Sequence, residues 1–512
     1  MLEDVVGMGY GDFEDVVGMD FGKFEDVVGI GWDYFEDVAD TNWDYFELQG
    51  HVNCMLRLAQ LLCHESSIHV TFLNSEFAHQ RLLRYTDLHL RFSSYPNFYF
   101  RTIPDGLPAD HPRTGDRVVD LFNSINAVTK PRFREMLASG SLQSARRPPV
   151  TCIIADGIMC FAIDVGNELH IPTILFRTFS ASCFWAFFCV PKLIESGDLP
   201  LNGESDMDKL LENVEGMENV LRLRDLPSFC RTTDLSDRGF LSVILATLRT
   251  TRAHGLILNT FEDLEESALA QIRKHIPNLY TIGPLHAHLR ARVSRSKEEL
   301  PWRSSSSLWE EDRSCMAWLD EQPLKSVLYV SFGSMTVLTR NQFLEFWYGI
   351  VNSGKAFLWA IRPNSVVGDD HIPPELIEGT RKKGYMVGWA PQEEVLVHPA
   401  VGGFLTHSGW NSTLESICEG LPMICWPFYA DQQVNSRLVG EVWKNGVDMK
   451  DMCDRITVEK MVKELMEVRR DEFTKCSNRM AKLARKAVTQ HGSSHCNLDR
   501  LVEDLKKMKL QL

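Results

Sequence analysis

Apolar residues change their spacing several times along this chain, and each change marks a structural element. Val52, Met55, Leu56, Ala59 and Leu62 recur at three- and four-residue intervals, which predicts one face of a helix. Ile68-His-Val-Thr-Phe-Leu reads as a strand. Val150-Thr-Cys-Ile-Ile reads as a buried strand ending at Ala155-Asp156-Gly157, and after a helical stretch Ile171-Pro-Thr-Ile-Leu-Phe reads as another. The alternation restarts with Ser326-Val-Leu-Tyr-Val-Ser-Phe, which enters a turn at Gly333-Ser334. Ala356-Phe-Leu-Trp-Ala-Ile, Gly402-Gly-Phe-Leu-Thr and Pro422-Met-Ile-Cys-Trp follow as strands. Strands alternating with helices predict parallel sheets covered on both faces. Between the two runs lies a polar stretch with Arg290, Arg292, Arg295, Lys297 and the serines 304–307, the best linker candidate. The expected architecture is α/β, with two doubly wound, Rossmann-like domains facing a cleft. Ligands in such sheets bind beyond the carboxyl ends of the strands.

The first 47 residues do not fit this picture. Leu2-Glu-Asp-Val-Val-Gly recurs with a period of 11 residues at Phe13, Phe24, Phe35 and, truncated, Phe46. Glycines such as Gly7, Gly9 and Gly11 oppose a helical supercoil. The segment reads as a flexible acidic tail or a sequence artefact, with a partner-binding acidic arm as the alternative. It carries −13 of the total charge of −15, which leaves −2 for the remaining 465 residues. The main body is therefore nearly neutral, and without a Lys/Arg stripe it gives no support for nucleic-acid binding. No apolar run is long enough to span a membrane. The 13 cysteines are odd in number and lack CxxC spacing, which suits a reducing, cytoplasmic location. The expected domains are 48–285, 313–490 and a C-terminal helix over 491–512, with 286–312 as linker.

The richest chemistry lies between Trp389 and Gln432. A strand ends at Thr406, a tight turn passes through Gly409, and a helix starts near Asn411 with Leu414, Ile417 and Cys418 on its apolar face. Free N–H groups at a helix start favour an anion. Asn411 and Ser412 add donors, and His407 lies just before the turn. The set suits a diphosphate. Taken alone, Ser412-Thr-Leu-Glu415 also fits an ordinary capping box, and Trp389 and Trp410 fit simple packing.

The complete segment resembles the signature box of the plant family 1 UDP-sugar glycosyltransferases: Trp389-Ala390-Pro-Gln392, His407-Ser-Gly-Trp410-Asn411-Ser412, Glu415 and Asp431-Gln432. The resemblance spans about residues 49 to 512 and implies the two-domain GT-B fold. It implies that Trp389 stacks on uracil, with Ala390 beside it in the box, and that Gln392 and Glu415 hold the ribose. His407, Asn411 and Ser412 would bind the diphosphate. Trp410, Asp431 and Gln432 would contact the sugar, Gln432 being usual in glucose users, and Ser334 matches another donor contact. Ile103-Pro-Asp-Gly-Leu-Pro-Ala-Asp-His-Pro, Asp225-Leu-Pro-Ser-Phe-Cys-Arg, Leu258-Asn-Thr-Phe-Glu-Asp-Leu-Glu and Tyr280-Thr-Ile-Gly-Pro-Leu-His-Ala-His-Leu resemble members that glucosylate the iridoid 7-deoxyloganetic acid.

In that family the histidine of Gln49-Gly50-His51 is the general base and the carboxylate at Asp156 orients it. A helix N-terminus disfavours imidazolium, so a neutral His51 is expected. The implied reaction is a single inverting displacement from UDP-glucose onto a small apolar acceptor, by a monomer without metal or other cofactor. One departure is large. Members begin with an apolar strand ending in Pro-x-x-Gln-Gly-His, whereas Trp43-Asp-Tyr-Phe-Glu-Leu precedes Gln49 here. An acidic segment is a poor buried strand, so His51 is expected to be displaced. That leaves a UDP-sugar-binding protein with little catalysis as the alternative. A dinucleotide oxidoreductase has little support, because no Gly-x-Gly-x-x-Gly opens a helix after a strand.

Overall fold

The computed structural model describes residues 49–508 apart from 66, 110, 112–117, 145–146, 294–306, 308, 363–364 and 368–372. The acidic repeat and the segment Trp43 to Leu48, expected to replace a first strand, lie outside the described residues.

Helix α1 (Gln49–Cys63) opens the described chain. Its Cys54, Leu58, Leu61 and Leu62 enter one core and its Leu56, Ala59 and Cys63 another. Strands β1 (Val70–Ser75) and β2 (Phe98–Ile103) pair in parallel. Strands β3 (Ile153–Asp156), β4 (Thr173–Arg177), β5 (Gly255–Leu258) and β6 (Leu279–Thr281) form a second parallel sheet in that order. Every residue of β4 and β5 is buried, as a sheet covered on both faces requires. Helix α2 (Arg238–Leu248), which enters the site below, precedes β5.

The second half carries a six-stranded parallel sheet. Its strands are β7 (Val327–Ser331), β8 (Ala356–Ala360), β9 (Gly384–Val387), β10 (Val401–Thr406), β11 (Met423–Cys425) and β12 (Gly446–Asp448), in the order β9-β8-β7-β10-β11-β12. The two halves are thus the Rossmann-like units of a GT-B fold. Ser331 of β7 lies opposite Thr406 of β10. This register brings the turns after both strands to one point at the carboxyl edge of the sheet.

The expected linker over 286–312 begins inside a helix, α3 (Leu285–Val293). His286 and His288 are buried there despite the polar sequence, and Leu285 and Leu289 pack with the apolar face of α1. The last helix, α6 (Ser493–Lys507), returns to the first half. Its Leu498, Leu501 and Val502 join the same core, and Tyr280 Oη donates to Asp504 at 3.0 Å. Helices α4 (Gln392–Val397) and α5 (Trp410–Glu419) belong to the second half and face α1.

Polar contacts join the halves on both sides of the cleft. On one side the buried Arg57 of α1 pairs with Glu393 of α4 and, at 3.5 Å, with Glu415 of α5. On the other, the fully buried Asp225 pairs with Lys450 at 2.7 Å and Arg437 at 3.4 Å. Among the described residues, no helix is long and apolar enough to cross a membrane.

Candidate active site

The donor side is built where β7 and β10 end. His407 follows β10 and is wholly buried, and burial lowers its pKa to about 4. It meets ligands as a neutral imidazole, offering a hydrogen bond rather than a charge. Its Nδ1 has no partner among the described residues. Two glycines make its place. A Cβ on Gly333 or on Gly409 would lie 2.5 Å from His407 Nε2, and Gly333 also has φ +74°, where side chains are strained. Ser334 sits in the turn beside Gly333.

Helix α5 starts at Gly409 as its N-cap, with no side chain capping it. Ser412 lies inside the first turn and accepts from Gln392 Nε2 at 2.9 Å, so the capping-box reading fails. The first-turn N–H groups therefore carry no side-chain cap, as an anion site requires. Gln392 Nε2 also donates to Glu415 at 2.8 Å, and Tyr329 Oη donates to Gln392 Oε1 at 3.4 Å. One amide thus ties α4 to α5 and fixes both groups expected at the ribose. Burial raises the Glu415 carboxyl against the opposing charge of Arg57.

Trp389 and the buried Ala390 precede α4, and Trp389 O accepts from Asp312 N at 2.8 Å. The Trp389 ring stacks on Trp309 with centroids 6.1 Å apart. Gln432 turns its Oε1 to the backbone N–H groups of Phe428 and Tyr429, both at 2.8 Å, which leaves its NH₂ for a ligand. Asp431 accepts from Asn435 at 2.6 Å, and burial raises its carboxyl to about 6.

Two residues sit differently from expectation. Trp410 is 3% exposed and its indole N–H donates to Asn259 O at 2.8 Å. Its indole packs in the core. Asn411 uses its side chain between the halves: Nδ2 donates to Gly50 O at 3.0 Å and Oδ1 accepts from Cys54 Sγ at 3.0 Å. It joins the start of α5 to the start of α1.

The acceptor side is assembled across greater sequence distance. His51 Nδ1 lies 2.7 Å from Asp156 Oδ2 and 3.0 Å from Thr178 Oγ1. Asp156 Oδ1 also accepts from Ile158 N at 3.0 Å. A proton on Nδ1 satisfies the carboxylate and leaves Nε2 as the free base. The displacement expected for His51 is not found. Within the described residues, α1 is anchored by its own two apolar faces and by Arg57 and Asn411.

The expected protonation behaviour is also corrected. Burial lowers the His51 pKa, but the charge and hydrogen bond of Asp156 and the charge of Asp431 outweigh it, so it is raised above 6.5. Asp156 moves the other way. Burial raises it, but His51, the Ile158 N–H and Arg177 more than offset that, and it is lowered. The pair becomes an imidazole of increased basicity held by an ionised carboxylate.

Thr178, Arg57, Trp309 and Arg177 were not singled out from sequence. The available signal for Arg57 was one charge inside the apolar run Cys54 to Leu62, and for Arg177 an arginine closing a buried strand.

Comparison with known proteins identifies the family. Residues 308–485 match the family model described as UDP-glucoronosyl and UDP-glucosyl transferase. The chain is 58% identical over 465 residues to a 7-deoxyloganetic acid glucosyltransferase of Catharanthus roseus, covering 90% of this chain and 96% of that one. It is 43% identical to a 7-deoxyloganetin glucosyltransferase of Gardenia jasminoides, covering 89% and 95%. Among solved structures, Os79 from O. sativa in complex with UDP superposes with a TM-score of 0.72 at 26% identity, covering 90% of this chain and 99% of that one.

Proposed function

The chain belongs to the UDP-glucuronosyl and UDP-glucosyl transferase family as a glucose-transferring enzyme, and on that premise we propose that it glucosylates a hydroxyl of an iridoid of the 7-deoxyloganetic acid kind. The observation that carries the mechanism is the 2.7 Å contact between His51 and Asp156, at the start of α1 and facing the donor helix.

His51 Nε2 takes the proton of the acceptor hydroxyl. The oxygen forms a bond to the anomeric carbon of glucose as the bond from that carbon to the UDP oxygen breaks. Attack from the face opposite UDP inverts the centre, so an α-linked donor gives a β-glucoside. Asp156 holds the imidazole in one tautomer and stabilises the imidazolium once formed. UDP leaves as an anion toward the uncapped start of α5, where His407, Ser412 and backbone N–H groups supply donors. Trp389 and Ala390 take the uracil, Gln392 and Glu415 the ribose, and Asp431, the Gln432 amide and Ser334 the glucose side. The scheme routes no step through a metal or other cofactor. All 13 cysteines are free thiols, which supports a reducing, cytoplasmic setting.

The test is turnover of UDP-glucose with 7-deoxyloganetic acid, following UDP release and the anomeric configuration of the product. A β-glucoside with stoichiometric UDP is the expected result. Release of UDP without transfer to the iridoid would refute the acceptor assignment.

A further inference from the structure

Arg177 closes β4 and is 2% exposed, among the largest fully buried side chains of the molecule. Arg57, buried at the cleft, has Glu393 and Glu415, and the half-buried Arg290 has Glu393 and Glu419, whereas the buried Arg91 resembles Arg177 in donating to a neutral oxygen, Gln60 Oε1 at 2.9 Å. No carboxylate pairs with Arg177 among the described residues. Its Nη2 donates to two neutral oxygens, the Ala246 carbonyl of α2 at 2.5 Å and Thr250 Oγ1 at 3.2 Å. Its Nε is buried without a partner. Burial pushes the guanidinium down to about 10. Removing a cation from water without a paired anion is costly, so such a group persists where something else completes it.

Its position says what that something is. A Cβ on Gly157 would lie 2.5 Å from Arg177 Nε, so the guanidinium stem passes directly against the residue after Asp156. The next residue, Thr178, touches His51. The rings of Phe179 and Phe184 lie 5.6 and 5.9 Å from the guanidinium carbon. An unpaired cation, aromatic walls and the catalytic pair thus share one corner of the first half. The charged groups acting on His51 are Asp156 and Asp431, both acidic, and Arg177, the one cation among them. An anionic acceptor entering there is repelled unless a cation receives it.

We propose that Arg177 determines acceptor specificity: its guanidinium binds the carboxylate of a small hydroxylated carboxylic acid while His51 takes the proton from that molecule's hydroxyl. The inference rests on the acceptor reading above and deepens it. It makes the free acid, rather than its ester, the preferred substrate. Arginine suits the task because its planar fork matches a carboxylate with two parallel donors.

The experiment compares kcat/KM for 7-deoxyloganetic acid and its methyl ester, with saturating UDP-glucose, in the wild-type chain and in Arg177→Met and Arg177→Lys. The wild type should prefer the acid by about a hundredfold, because an ester leaves the buried cation unpaired. Arg177→Met should lose about a hundredfold on the acid and only a few-fold on the ester, through KM more than kcat. Arg177→Lys should keep part of the preference. Equal use of acid and ester by the wild type overturns the proposal without any variant. Equal loss on both substrates in Arg177→Met, or an undiminished acid preference, also overturns it by making Arg177 a strut. Should Arg177→Met fail to fold, the wild-type contrast and Arg177→Lys decide. If neither iridoid is glucosylated, the acceptor reading fails separately. The acid-to-ester contrast is then read on hydroxycinnamic acids and their methyl esters, where an absent acid preference overturns the role of Arg177.

Discussion

The two helix starts that face each other across the cleft, α5 and α1, are built by opposite strategies. The start of α5 is a local construction: strand, turn, glycines and donors follow one another from Thr406 to Glu415. Gly333 reaches it only because β7 and β10 end in register. The start of α1 is assembled from afar. His51 meets Asp156 105 residues on and Thr178 127 residues on, while Asn411, 361 residues from Gly50, pins its first turn. A contiguous site tolerates change elsewhere in the chain. A dispersed one depends on every element that positions its parts, and here those elements are the apolar faces of α1 and its contacts to the other half.

The sharpest separation of the two regions comes from His51→Ala. Loss of the base should lower kcat by about a thousandfold, while UDP affinity by calorimetry stays within about twofold. A matching loss of UDP binding would mean the two helix starts form one inseparable site. Arg57→Met attacks what they share. It leaves the buried Glu415 without its cation, while the part-exposed Glu393 keeps Arg290, and should cost about 3 kcal/mol of stability in urea unfolding, with weaker UDP binding alongside. Unchanged unfolding would show that this interface contributes nothing. Gln392→Ala strikes the donor side alone. It should raise KM for UDP-glucose about tenfold by removing hydrogen bonds to Ser412 and to the Glu415 carboxylate, with KM for the acceptor unmoved. The smallest effect concerns the sugar. With its amide oriented by Phe428 and Tyr429, Gln432 should favour UDP-glucose over UDP-galactose, and Gln432→Ala should shrink that kcat/KM ratio several-fold.

The contrast also explains what could be read from the sequence. Seven strands were legible as apolar runs, as in Val327 to Ser331, whereas β2, β5, β6, β9 and β12, mostly three or four residues long, were not read. The donor segment was legible because its parts are contiguous. Even there, packing decided details that pattern could not: Gly409 rather than Ser412 caps α5, and Trp410 is spent on Asn259. His51 and Asp156 could be named only through family resemblance, since nothing local in either stretch points to the other. The basicity of His51 was misjudged because the helix start was weighed without the carboxylate facing it. Arg177 was missed because the apolar run was read as ending at Phe176, one residue short. Its significance lies in burial without a paired carboxylate among the described residues, which a single sequence does not display.

The central claim is that a histidine held by a carboxylate is the base of this enzyme, and the pH dependence of kcat/KM in wild type and Asp156→Asn tests it most directly. The base must be neutral to act, and Asp156 raises its pKa above 6.5. Activity should therefore fall as pH drops through a value above 6.5 in the wild type. In Asp156→Asn the raising charge is gone, so that acid limb should move to lower pH while the plateau drops by about a hundredfold or more. A limb that stays in place when Asp156 is replaced, for example one near pH 6 set by the buried Asp431, would contradict the account.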